Sequence, residues 1–146
     1  MARRTPNFAR VFGNITLDAS EKDAVLELAF MMANANGDAS IDELESFRAL
    51  AKHFDPNADI TALLDRCSAL LEQASSFEER VRAAAARLTR DEARELAYKA
   101  TYTIAVFDLE TNEEERELEE LIVEVLGLDH DRVHALELAA TQALSS

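Results

Sequence analysis

The fold is decided at residues 29–43, which read Ala29-Phe30-Met31-Met32-Ala33-Asn34-Ala35-Asn36-Gly37-Asp38-Ala39-Ser40-Ile41-Asp42-Glu43. An apolar run leads into a polar turn with one glycine, which is typical of a helix end. Ser40 and Glu43 have the spacing of a capping box, in which each residue satisfies a backbone N–H of the other and a helix begins. The stretch therefore predicts two consecutive helices joined by an acidic turn.

Helical patterns continue on both sides of this stretch. Apolar residues three and four positions apart predict a helix over 19–33 with one inward face, formed by Ala24, Val25, Leu28, Met31 and Met32. The helix that begins after Ser40 should end before Pro56. Further helix starts are indicated at Asp59 or Thr61, Ser76, Thr89, Thr111-Asn112 and Asp129 or Asp131. We expect about seven helices and an all-α fold.

Two single residues within these helices also carry predictions. Gly127 follows the apolar pattern of the sixth helix and is well placed to end it with a left-handed conformation. Cys67, the one cysteine of the chain, lies between Leu64 and Leu71 on an apolar stripe. We therefore expect Cys67 to be a buried core residue rather than a redox or metal site.

A second copy of the opening stretch lies in the other half of the chain. Residues 101–105, Thr-Tyr-Thr-Ile-Ala, correspond to residues 29–33, and a polar turn and an acidic helix start follow in both places. We predict one domain over 18–146 in which two three-helix units share a core. The units cover about 18–74 and about 90–146, a connector covers 75–89, and a loose basic arm with a short helical turn covers 1–17.

Composition limits the classes of function. The chain has 146 residues, which suits a single domain, and 15 basic against 29 acidic residues give a net charge of −14. This balance argues against a nucleic-acid interface, which needs clustered Lys and Arg, and fits either cationic ligands and partners or a surface that is acidic for solubility. No apolar segment is long enough to span a membrane or to act as a signal peptide, so we expect a cytoplasmic protein.

The two acidic turns are candidate sites for a hard divalent cation such as Ca²⁺ or Mg²⁺, which prefers several oxygen ligands. The candidate ligands are Asn36, Asp38, Ser40 and Glu43 in the first turn, and Asp108, Glu110, Asn112 and Glu115 in the second. A full EF-hand loop is excluded because Met32 would occupy its first ligand position, so we expect weak binding. The alternative is that these residues are helix caps and acids favoured by the helix dipole.

The acidic run continues beyond the second turn. Residues 108–124 contain nine acids and one base, Arg116. Like charges four residues apart on a helix cost a few tenths of a kcal/mol per pair, and a bound cation or a basic partner would relieve this repulsion. A metal-independent acidic helical module that binds a basic protein surface is therefore the alternative function.

Catalytic motifs are absent from the sequence. His130 and His134 have a spacing that can bind a metal on one helix face, but no third nitrogen or sulfur ligand is near them in sequence. There is no glycine-rich phosphate loop and no nucleophile motif. We expect a protein that is not an enzyme.

Two segments resemble the signatures of one known family. Ala33-x-Ala35-Asn36-Gly37-Asp38-x-Ser40-x-x-Glu43 is similar to its first signature, although Asn36 stands where Asp is usual and Ala39 where Ile is usual, and residues 97–115 are similar to its second. The family is TerB-like, the tellurite-resistance TerB proteins and their relatives. The resemblance implies an all-helical fold of two repeated units, with acidic clusters that bind Ca²⁺ or another divalent ion. It also implies a role in tellurite resistance and stress response together with partner proteins, including membrane proteins. Because Asn36 removes a charge from the first turn, the second turn is the stronger candidate.

Overall fold

The computed structural model describes residues 6–35, 40–107 and 113–145, and within these ranges it contains eight α-helices and no strand. This confirms the all-α prediction, with one helix more than expected. The helices are α1 (Phe8–Phe12), α2 (Ala19–Ala33), α3 (Ile41–Phe54), α4 (Ile60–Gln73), α5 (Phe77–Ala86), α6 (Asp91–Phe107), α7 (Glu113–Leu126) and α8 (His130–Ser145). None of the described helices combines the length and apolar character needed to cross a bilayer.

Helices α2 and α6 form the centre of the molecule and pack against each other. Every residue of α2 from Ala24 to Ala33 is buried, so the single inward face predicted from the sequence is too narrow. The reason is that α2 contacts five helices, α3 to α7, which cover its whole circumference. Apart from Glu27 this stretch of α2 is apolar on all sides, and such a helix is stable only when it is enclosed in this way.

The predicted repeat is visible in the helix bounds and in the helix contacts. Helix α6 begins a fixed number of residues after α2. Helix α7 begins and ends the same number of residues after α3. Exchanging α1–α4 with α5–α8 turns each main helix contact into another observed contact: α3 with α6 becomes α7 with α2, α1 with α3 becomes α5 with α7, and α1 with α8 becomes α5 with α4. The repeating unit in the structure therefore has four helices.

The additional helix is α1, in the segment that the sequence analysis assigns to a loose arm. Phe8, Val11 and Phe12 are buried, as is Leu17 after the helix, while Arg10 is exposed. Helix α1 contacts α3, α6 and α8, as α5 contacts α7, α2 and α4. Residues 6–17 are therefore packed as part of the first unit, and the expected connector is their counterpart in the second.

Capping interactions define the helix starts. The predicted box at Ser40 is confirmed: the Ser40 N–H donates to Glu43 Oε1 at 3.0 Å, and the Glu43 N–H donates to Ser40 Oγ at 3.1 Å. The helix start predicted at Ser76 has half of a capping box: the Glu79 N–H donates to Ser76 Oγ, but the Glu79 carboxylate accepts from the N–H of Ser75 rather than from that of Ser76. The N-cap predicted before α6 is one residue early, since the Arg90 carbonyl, not that of Thr89, accepts the first helical bond.

Gly127 ends α7 as predicted, with φ of 72°. The Leu128 N–H donates to the Val123 carbonyl at 3.2 Å and the Gly127 N–H to the Glu124 carbonyl at 3.1 Å. These two bonds form a Schellman motif, which requires a left-handed residue at this position. Cys67 is 3% exposed, which confirms its predicted burial.

Two buried glutamates of α2 attach it to the second unit. Glu27 is 4% exposed and forms ion pairs with both Arg80 and Arg87, at the two ends of the α5 region. Glu21, also 4% exposed, accepts from the Arg90 guanidinium at 2.8 Å, and this arginine lowers the pKa of Glu21. Because a buried carboxylate needs such partners, these arginines hold α2 against the second unit.

Candidate functional site

The structure describes three of the eight predicted cation ligands. These are Ser40 and Glu43 at the start of α3 and Glu115 in the first turn of α7. The other five, which are Asn36, Asp38, Asp108, Glu110 and Asn112, lie outside the described residues. The geometry of the candidate site is therefore built from the residues that border the two turns.

The first turn is held at both ends by hydrogen bonds of its own polar residues. At the end of α2, Asn34 donates its Nδ2 amide to the Phe30 carbonyl at 2.9 Å. At the start of α3, Ser40 Oγ and Glu43 Oε1 take part in the capping box. Carboxylate and hydroxyl oxygens have more than one lone pair, so a cap bond and a metal bond are compatible at the same residue.

A buried carboxylate follows each acidic turn at the same position of its helix. Glu43 is the third residue of α3 and 1% exposed, and Glu115 is the third residue of α7 and 3% exposed. Burial of a carboxylate is costly unless hydrogen bonds or a cation compensate for the lost hydration. The fold thus places one buried acid beside each turn, which the sequence pattern identified but could not show to be buried.

No group of three or more His, Cys, Asp or Glu side chains in the described ranges is arranged to hold a metal ion. The five turn residues named above lie outside these ranges. His130 lines a cavity of about 300 Å³ beside α7, together with Glu119, Glu120 and Arg116. No second histidine and no cysteine is among the described residues that line this cavity.

The same cavity borders a polar cluster that the sequence analysis missed. Tyr98 is fully buried, and its hydroxyl lies 2.6 Å from Oε1 of Glu119 and 2.6 Å from Oε2 of Glu137. Burial and these two contacts raise the pKa of Tyr98, and burial raises the pKa of Glu119. The three side chains come from three different helices, α6, α7 and α8, so no local spacing in the sequence could reveal the cluster.

The outer surface of α7 is the acidic face expected from the sequence. Its exposed carboxylates are those of Glu113, Glu114, Glu117, Glu120 and Glu124. Between α5 and α7 lies a cavity of about 300 Å³ with apolar walls that include Phe77, Leu118 and Leu121 and with Glu114 and Glu117 at its edge. This surface can accept a cationic group that also carries an apolar portion.

Comparison with known proteins gives one finding. A family model described as tellurite resistance protein TerB matches residues 22–138, from the first turns of α2 into α8. No curated protein matches the chain, and no solved structure matches it. The matched segment includes most of both helical units and both acidic turns. On this evidence, which agrees with the repeated all-helical fold, the chain belongs to the TerB family.

Proposed function

We propose that this TerB-family protein binds a divalent cation, Ca²⁺ or Mg²⁺, weakly at its acidic turns, and acts through partner proteins in a cytoplasmic response to stress such as tellurite. The observation that carries the proposal is the pair of buried carboxylates, Glu43 and Glu115, at equivalent positions beside the two turns. A cation bound in a turn would offset part of the cost of burying the adjacent acid.

The donor set suits a hard cation. Asn36, Asp38, Ser40 and Glu43 would serve the first turn, and Asp108, Glu110, Asn112 and Glu115 the second. All are oxygen donors, which Ca²⁺ and Mg²⁺ prefer, and none is the nitrogen or sulfur donor that Zn²⁺ favours. The second turn has one more acidic ligand than the first and is the stronger site.

The alternative is an acidic interaction module that works without a metal. The exposed glutamates of α7 and the cavity between α5 and α7 favour it, because they combine negative charge with an apolar recess. A basic segment of a partner protein, including a membrane protein, would have complementary chemistry. Neither function requires catalysis by this chain.

A calcium titration followed residue by residue by NMR tests the proposal. A site in the turns should shift the amide signals around Glu43 and Glu115 before those of the α8 surface. An ion that binds only the native state stabilises it by RT ln(1 + [L]/Kd), about 2.7 kcal/mol at a hundredfold excess over Kd. For a domain of this size the melting temperature should rise by about 5–10 °C.

Two controls separate a site from general screening of the acidic surface. Monovalent salt at matched ionic strength measures screening alone. Changing Asp108, Glu110 and Glu115 to amides should reduce the calcium effect, whereas the same change at Glu120 and Glu124 should reduce it less. If calcium stabilises no more than salt, or if both sets of variants behave alike, the turns are caps and the interaction module becomes the preferred function.

A further inference from the structure

The contacts of the Tyr98 hydroxyl require more hydrogen atoms than the hydroxyl itself supplies. One carboxyl oxygen of Glu119 and one of Glu137 each lie 2.6 Å from the Tyr98 hydroxyl oxygen, a distance typical of O–H···O hydrogen bonds. A hydroxyl donates one hydrogen, and a second short contact between two oxygens without a hydrogen would be repulsive. We propose that Glu119, Tyr98 and Glu137 form a proton-binding site, in which one proton shared by the two glutamates joins α7 and α8 through α6.

The proton balance of this site follows from the environment of each group. Burial and the neighbouring carboxylates raise the pKa of Tyr98, so it remains a neutral phenol. Burial raises the pKa of Glu119, which makes it the acid that retains the proton. The Glu119 carboxyl then donates to the Tyr98 oxygen, and the Tyr98 hydroxyl donates to the Glu137 carboxylate. Two hydrogens make two bonds, and the cluster has a single negative charge.

Neighbouring charged groups provide no replacement for the shared proton. In the described ranges, neither Glu119 nor Glu137 forms an ion pair with Lys, Arg or His. The arginine and lysine side chains of α6 and α8 are bound elsewhere: Arg94 to the carbonyls of Leu88 and Leu126, Lys99 to the carbonyl of Val11, and Arg132 to Glu95.

The groups on the cavity side complete the surroundings of the cluster. Arg116 and Glu120 of α7 and His130 of α8 line the adjoining cavity, and Glu120 opposes ionisation of Glu119. Glu115 lies one helical turn before Glu119 on α7, and Glu95 faces α8 from α6 through its pair with Arg132. Ionisation of both Glu119 and Glu137 would therefore place a second negative charge near the carboxylates of Glu95, Glu115 and Glu120.

The first unit has no polar groups at the positions equivalent to Tyr98 and Glu119, so packing of these helices does not require them. The positions of the first unit that correspond to Tyr98 and Glu119 in the repeat are Leu26 and Phe47, and both are buried apolar residues. The equivalent helix pairs, α2 with α3 and α6 with α7, thus have buried apolar residues at these positions in one unit and a hydrogen-bonded cluster in the other. The second unit has a titratable junction where its counterpart has none.

Loss of the shared proton should loosen α8. With both glutamates ionised, Tyr98 can donate to only one of them, and the two charges repel each other. Because the Glu119 pKa is raised in the folded state, the stability that the site contributes is complete below the unfolded pKa of about 4.3 and is lost as the pH rises through the folded value. Acidic conditions therefore tighten the contact of α8 with α6 and α7.

NMR titration of the glutamate carboxyl carbons in the whole protein tests the site directly. In the wild type, the Glu119 carboxyl should titrate above the ordinary glutamate value of about 4.3. Replacing Glu137 with glutamine should lower the Glu119 pKa, since the amide then donates to Tyr98 and Tyr98 donates to the Glu119 carboxylate. Titration of Glu119 at the ordinary glutamate value in the wild type would overturn the proposal without the need for any variant.

Hydrogen exchange of α8 amides provides the conformational test. After correction for intrinsic exchange, protection of α8 should fall with rising pH in the wild type and in the control Glu120→Gln. Each unit by which the Glu119 pKa is raised corresponds to about a tenfold change in the opening equilibrium. In Glu119→Gln the side-chain amide donates to the Tyr98 oxygen at every pH, so the protection of α8 should not change over the pH range in which Glu119 titrates in the wild type. If Glu119→Gln keeps the wild-type pH dependence, the proton does not join the helices.

Discussion

Replacing Glu27 with glutamine should lower the free energy of unfolding by about 2–4 kcal/mol. Removing one partner of a fully buried ion pair costs about 3–5 kcal/mol, because the remaining charge stays buried. Glu27 is 4% exposed, but the side chains of Arg80 and Arg87 are 19% and 35% exposed, so both arginines can turn partly towards water. The loss should therefore lie at the lower end of that range or somewhat below it, and the melting temperature should fall by roughly 5–12 °C.

Urea and thermal unfolding followed by far-UV circular dichroism measure this effect. The matched control is Asp23→Asn, on the same helix, because Asp23 pairs with Arg66 at 3.2 Å and both side chains are about half exposed. An exposed pair contributes at most about 1 kcal/mol. If Glu27→Gln and Asp23→Asn destabilise the protein equally, Glu27 does not anchor the second unit and the reasoning from burial fails.

Three further outcomes are expected. Cys67 should react slowly with a thiol reagent in the native protein, because burial raises its pKa to about 11; rapid labelling without unfolding would contradict this. Gly127→Ala should cost about 1 kcal/mol in urea unfolding, since φ is positive and the added Cβ would make only an ordinary contact with Arg94, 3.8 Å away; an unchanged midpoint would refute the strain. Arg90 lowers the pKa of Glu21, so the ionised Glu21 stabilises the fold above the unfolded pKa of about 4.3. This stabilisation is lost as the pH falls through the folded pKa of Glu21. Glu21→Gln should therefore make the melting temperature depend less on pH under acidic conditions.

Features that depend on neighbours in sequence could be predicted from it. The capping box at Ser40 needs only a residue three positions away, and the Schellman motif at Gly127 needs only the preceding turn. The burial of Cys67 follows from the leucines on either side of it. Each of these predictions rests on helical periodicity, which an all-α chain expresses locally.

Features that depend on distant residues could not be predicted. Glu27 looks like one more surface acid until α5, three helices further along the chain, brings two arginines to it. Helix α1 has only five residues, so its pattern is too short to separate a packed turn from a loose arm. Nothing near Tyr98 in sequence indicates that its hydroxyl meets two carboxylates, because both come from later helices.

The candidate cation site also has features that could be predicted from the sequence and features that could not. Its residues could be proposed from their oxygen donors and from the repeat, because both are properties of the sequence. The burial of Glu43 and Glu115 could not, since an acid in the first turn of a helix is usually exposed and favoured by the helix dipole alone. Their burial comes from the packing of α3 and α7 against the central helices.

The exchange symmetry of the helix contacts has a consequence for how the chain can be divided. The central helix of each unit packs against helices of the other unit as well as of its own, so a chain cut at Ser75 should give two fragments that are poorly folded alone and fold when mixed. By the same geometry, the first unit of one molecule can pair with the second unit of another, which at high concentration would give a domain-swapped dimer. The short segment between α4 and α5 then acts as a hinge, and its length decides whether the units pair within one molecule or between two.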